Sequence, residues 1–127
     1  MQARRAKRGR LSRSAEFERV YRQGRSHANR FLVLYTFPRA SEGEPRLGVS
    51  VSRKVGGAVE RNRIKRLLRE AFGRYPDEIA AGQDVVVVAR PDVRELAERE
   101  GLAGVHAALD ELFAKAALAG RRDEAPA

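Results

Sequence analysis

Four consecutive valines, Val85 to Val88, lie inside the segment Asp84–Arg90, and they constrain the fold of this 127-residue chain more than any other feature. A short unbroken run of this kind reads as a central strand buried on both faces. Partner strands are legible upstream of it. Residues 30–38 alternate, with Phe31, Val33, Tyr35 and Phe37 facing one way and Leu32, Leu34 and Thr36 the other. A polar turn from Pro38 through Pro45 leads to a second strand, Arg46–Ser52. There Leu47, Val49 and Val51 share one face, while Gly48, Ser50 and Ser52 make the other small and polar.

Helices fill the remaining stretches. Ser12 or Ser14 can cap one running to about Gln23, with Phe17, Val20 and Tyr21 at i, i+3 and i+4 and Gly24 closing it. Gly56-Gly57 precedes the clearest helix, about Ala58–Arg74, whose core stripe is Ile64, Leu67, Leu68, Ala71 and Phe72; Pro76 bounds it. Pro91-Asp92 opens a loop and a short charged helix to Arg99. A last helix, about Leu102 to Leu118, presents Leu102, Val105, Leu109, Leu112, Phe113 and Ala116. The order α-β-β-α-β-α, without repeat or linker, predicts a single α/β domain, an α+β sandwich, over residues 12–119. Residues 1–11 read as a basic flexible arm and 120–127 as a flexible tail.

A chain of this length makes one core and needs no disulfide staple; it contains no Cys, which is compatible with a reducing cytosol. No apolar stretch is longer than Val85–Ala89, which falls far short of the roughly 18 residues of a membrane span. The basic N-terminus lacks the apolar segment of a secretory signal. A cytoplasmic protein with no membrane association is the expectation.

Net charge is +9, which points to a polyanionic partner. The placement of that charge is more informative than its total. Residues 1–13 hold Arg4, Arg5, Lys7, Arg8, Arg10 and Arg13 without an acid, and residues 53–69 hold Arg53, Lys54, Arg61, Arg63, Lys65, Arg66 and Arg69 against Glu60 alone. Each stretch therefore carries +6 and the rest of the chain −3. A merely solubilising surface would mix both signs.

Within the basic helix the apolar stripe centres near Leu68 and Ile64, so Asn62, Arg66 and Arg69 project almost opposite to it. Arg61 and Lys65 flank the stripe on one shoulder, and Arg63 lies on the other side. No acid sits four residues away to relieve Arg61, Lys65 or Arg69. A phosphate backbone would neutralise several of these cations at once. Arg outnumbers Lys here, and guanidinium forks suit bidentate phosphate and base contacts. A second constellation is aromatic: Phe17 and Tyr21 share a helix face, and Val33 and Tyr35 a strand face. Side by side these four could floor a groove for single-stranded RNA, with Ser50 and Ser52 adding hydroxyls. Spacing alone favours ordinary core packing for the rings.

Three segments resemble the ribonuclease P protein family: Ala28-Asn29-Arg30 leading into Val33-Leu34-Tyr35; Leu47-Gly48-Val49-Ser50-Val51-Ser52-Arg53-Lys54; and above all Ala58 through Phe72, which contains Arg61-Asn62-Arg63. The likeness extends from about Arg10 to Leu118. Gly57, where the family commonly has Asn, and the less typical residues 91–104 depart from it. The resemblance implies an α/β sandwich with a left-handed β-α-β crossover, against the usual hand. It implies two partners, the catalytic RNA subunit and the 5′ leader of precursor tRNA, and no protein partner. Phe17, Tyr21, Val33 and Tyr35, with Ser50 and Ser52, would line the leader cleft. Arg30, Arg53, Lys54, Arg61, Asn62, Arg63, Lys65, Arg66 and Arg69 would contact RNA. Catalysis would belong to the RNA; the protein alone would bind no cofactor, and Mg2+ would be held mainly by RNA.

Two other functions compete. An independent nuclease needs a metal-binding carboxylate cluster or a general base near a phosphate. The acids here are scattered, His27 and His106 lie far apart, and Gly56-Gly57 lacks the continuation of a phosphate loop. A ribosomal or general RNA-binding protein would bind without affecting precursor tRNA cleavage.

Overall fold

The valine run lies at the centre of one sheet. The computed structural model describes residues 10–11, 14–38, 46–75 and 82–124, with side chains as far as Ala116. In chain order the elements are α1 (Ser14–Gln23), β1 (Arg25–Ala28), β2 (Leu32–Pro38), β3 (Arg46–Val51), α2 (Ala58–Gly73), β4 (Gln83–Ala89) and α3 (Val93–Glu124). The sheet order is β1-β2-β4-β3; β4 runs antiparallel to β2 and parallel to β3. Val85, Val86 and Val87 are fully buried, as a central strand covered on both faces requires. The expected element order holds, with one addition. β1 pairs antiparallel with β2, and its mostly exposed residues Arg25, Ser26, His27 and Ala28 carry no alternation to read.

The two faces of the sheet receive different cover. On one, Leu32, Leu34, Leu47, Val49, Val85 and Val87 meet the stripes of α2 and α3 in the main core. The stripe Ile64, Leu68, Ala71 and Phe72 is buried as its spacing predicts, and each large side chain contributes about 1.5–3 kcal/mol. Glu60, the one acid near the start of α2, accepts the Gly57 backbone N–H at 2.9 Å and so closes the helix entrance. β3, α2 and β4 form the parallel crossover. α3 is two helical pieces separated at Gly101, whose φ of 60° and ψ of −143° suit glycine alone. Among the described residues the opposite face is covered by α1 and Leu11, through a small cluster of Leu11, Val20 and Val86.

Three expectations change. Phe31 packs with the main core rather than beside Val33 and Tyr35, because it precedes the strand in a turn. Asn29 builds that turn: its Oδ1 accepts the N–H groups of Phe31 and Leu32, both at 2.9 Å, and its Nδ2 donates to the Ala108 carbonyl on α3. Residues 10 and 11, read as part of the arm, join the sheet. Arg10 bridges to Leu47, the Leu11 N–H donates to the Leu47 carbonyl at 3.0 Å, and the Leu11 side chain is buried. Arg69 is half-buried rather than projecting freely from α2. Residues 1–9, Ser12, Arg13, residues 39–45 where a turn is expected, residues 76–81 and 125–127 lie outside the described residues. Among the described residues no helix is long and apolar enough to cross a membrane.

Candidate nucleic-acid interface

Strand register arranges the α1 face of the sheet in rows. The first row is Ala28, Val33, Val88 and Ser50; the second is Ser26, Tyr35, Val86 and Gly48; the third is Phe37, Asp84 and Arg46. α1 lies over the second and third rows. Phe17 rests on Gly48 so closely that a Cβ there would stand 2.6 Å from the ring. Val20 is buried against the same cluster as Val86. The first row is left half open: Val33, Val88 and Ser50 are only partly buried and Ala28 is exposed.

Tyr21 stands at the rim of that open row. Its ring lies 4.9 Å from Tyr35 and 6.2 Å from Phe17, both edge-on, and it is 38% exposed. Partial burial pushes its hydroxyl pKa up, while a hydrogen bond with Ser50 pulls it back; the phenol stays neutral at physiological pH. Phe17, Tyr21, Val33, Tyr35 and Ser50 are thus brought together as the sequence anticipates. Ser52 is exposed beyond the strand end, where its Oγ accepts the Lys54 N–H at 3.3 Å. An apolar floor with ring edges at its border suits stacking bases.

The third row holds α1 in place. Arg46 makes a two-pronged pair with the buried Asp84, Nε to Oδ1 at 2.9 Å and one terminal nitrogen to Oδ2 at 2.8 Å. The other terminal nitrogen reaches Glu16 of α1 at 3.2 Å. The hydrogen bonds to Asp84 raise the Arg46 pKa, so the group stays charged. The Arg19 guanidinium also sits over Phe37, 5.9 Å from its centroid. Periodicity could not reveal this network, because its members are 30 and 38 residues apart.

A second groove runs along α2. Arg10, Asn62, Lys65, Arg66, Arg69 and Glu70 line it. Among the described residues, the buried Nε atoms of Arg61 and Arg69 have no hydrogen-bond partner. Burial first, and the Arg10 charge second, lower the Arg69 pKa. Four cations facing one groove at this cost form a surface that an anion would relieve. The remaining predicted contacts lie elsewhere. Arg63 donates to the Ala97 carbonyl at 3.3 Å, on the α3 side of the helix. Arg30 pairs with Asp92 at 2.9 Å, and its exposed guanidinium also sits over Phe31. Arg53 and Lys54 are exposed just past β3, near the end of the open row. Arg10 is the participant that sequence reading placed in the arm; its neighbour Leu11, the one apolar residue there able to seat it, was the available signal.

Four acids are engaged with partners: Asp84 with Arg46, Asp92 with Arg30, Asp110 with the Tyr75 hydroxyl at 2.7 Å, and Glu111 with Asn29 at 2.7 Å. Among the described residues no group of three or more His, Asp or Glu could hold a metal ion. His106 stacks on Tyr75 at 5.1 Å, a packing role.

Residues 6–116 match the Ribonuclease P family model. The ribonuclease P protein component of Bacillus pumilus is 41% identical over 112 residues, covering 88% of this chain and 91% of that one. Its counterpart from Bacillus cereus strain B4264 is 43% identical over 94 residues, 74% of this chain and 82% of the relative. The solved Staphylococcus aureus RNase P protein superposes with a TM-score of 0.76 at 36% identity, covering 84% of this chain and 94% of that one. For the Thermotoga maritima RNase P protein the values are 0.73, 34%, 82% and 94%. The α+β order and the crossover are consistent with those structures. This chain therefore belongs to the ribonuclease P protein component family.

Proposed function

We propose that the chain is the protein subunit that assists the catalytic RNA of ribonuclease P in removing the 5′ leader of precursor tRNA. Membership of the family places it in tRNA processing. The observation that carries the finer reading is the half-open first row, an apolar floor bordered by Tyr21 and Tyr35 and continued by the cations Arg53 and Lys54. The single-stranded leader stacks on that floor, and the α2 groove takes phosphates of the catalytic RNA. Cations between two RNAs screen their mutual repulsion and lower the Mg2+ that assembly needs. Mg2+ itself is held mainly by RNA; of the acids near these surfaces, Asp84 is committed to Arg46 and Asp92 to Arg30. The work is done in the cytoplasm.

Leader release is followed while magnesium is titrated over RNA alone, protein alone and both together. Activity of both together at low magnesium, of RNA alone only at high magnesium, and none from protein alone is expected. A solved S. aureus relative, 34% identical, is described as a mutant with defective mRNA degradation activity. An mRNA substrate added to the protein-alone arm tests whether that activity extends to this chain. Cleavage by a nuclease-free preparation of the protein alone would overturn an RNA-only mechanism, and an unchanged magnesium requirement leaves only general RNA binding.

A further inference from the structure

We infer that the Glu16–Arg46–Asp84 network is a positioning device, setting the height of α1 over the sheet and hence the width of the open row. The inference rests on the groove reading above and goes beyond it, because none of the three residues lines the open row. Asp84 is 1% exposed and its carboxylate is taken up by both prongs of Arg46. Arg46 is fixed in turn by its place opposite Asp84 in the β3–β4 register. The one prong left over points at Glu16, in the first turn of α1. The helix is thereby tied at its start to the middle of the sheet. At its far end the buried Val20, the edge contacts of Tyr21 with Tyr35 and the hydrogen bond with Ser50 hold it. A shift of α1 at the tied end is passed along the rigid helix to Tyr21, so the tie determines where the ring borders the open row.

The sign of one substitution separates positioning from simple charge. Removing any acid from a basic protein should strengthen its hold on an anionic strand. Positioning predicts the reverse at Glu16. The holoenzyme, reconstituted with its catalytic RNA, is titrated with leader-bearing precursor tRNA and with mature tRNA. For Glu16→Ala the preference for precursor should fall about tenfold, with mature tRNA binding and the salt slope unchanged. Glu16→Gln, which keeps an acceptor for Arg46, should restore most of it. Glu18→Ala removes the same charge one turn-face away, where the exposed Glu18 pairs with Arg22 at 3.5 Å, and should leave the preference intact or raised. An unchanged or raised preference in Glu16→Ala, or an equal fall in Glu18→Ala, overturns the positioning role. Absence of any precursor preference in the unsubstituted holoenzyme removes the groove reading itself, and the positioning role with it.

Discussion

The open row lies on the α1 face of the sheet and the second groove runs along α2, which packs against the other face; the two are made of different materials. The first is shape: valines, ring edges and a serine hydroxyl, held at fixed spacing by strand register. The second is charge: Arg10, Lys65, Arg66 and Arg69 around one hollow, with Glu70 the one acid on its wall. Shape recognises a strand by contact that salt hardly alters, whereas charge recognises a backbone through counterion release that salt abolishes. On the proposed reading, a single small domain would grip two RNAs by mechanisms that respond to different variables.

The largest effect is expected from the charged side. Replacing Arg66 and Arg69 together with Ala should weaken binding of the catalytic RNA on the order of 100-fold at 0.1 M salt and flatten the log K against log salt slope by about two. Thermal stability should be kept. An unchanged slope would break the contrast outright. Next comes Tyr35→Ala, which should cost precursor tRNA binding about 1–3 kcal/mol while leaving the salt slope and mature tRNA binding alone. If urea denaturation instead reports a loss of that size in folding stability with leader affinity intact, the ring is core and the contrast is false. Tyr21→Phe sharpens the comparison by removing only the hydrogen bond with Ser50; about 1 kcal/mol of leader affinity should be lost.

The smallest effect concerns stability of the free protein. The pKa of Arg69 is lowered, so its charged form is disfavoured by folding throughout the accessible pH range, which lies below both its folded and its unfolded pKa. Arg69→Met keeps the stem and removes the charge. It should stabilise the isolated protein by a few tenths of a kcal/mol while weakening RNA binding. Calorimetry at neutral pH checks the sign; a destabilised Met variant would show that Arg69 supports the fold rather than opposing it.

Much of this was legible in the sequence, and the remainder was hidden for identifiable reasons. The valine run, the stripe of α2 and the alternation of β2 and β3 are periodic, and burial drives periodicity, so they survive into the structure. The solvent-facing side of α2 follows from the same periodicity, and with it Asn62 and Arg66. The partners of Arg63 and Arg30, the Ala97 carbonyl and Asp92, are 34 and 62 residues away and leave no local trace. β1 was missed because an exposed polar edge strand has no apolar face to betray it. Rings that spacing alone assigns to a core turn out to be half-buried, since a short helix over a four-strand sheet covers some rows and not others. That coverage is a tertiary quantity.

Gly48 and Phe17 occupy one shared volume, and this ties their fates during sequence drift. A methyl at position 48 would meet the Phe17 ring at 2.6 Å and Leu11 at 3.1 Å, so enlargement there must lift α1 from the sheet. Shrinking Phe17 alone would leave a void above the strand. Only an exchange in which one side gains roughly what the other gives up conserves the packing. Lineages of this family would then cross between such pairs through a less stable intermediate, and those with stability to spare would cross more readily.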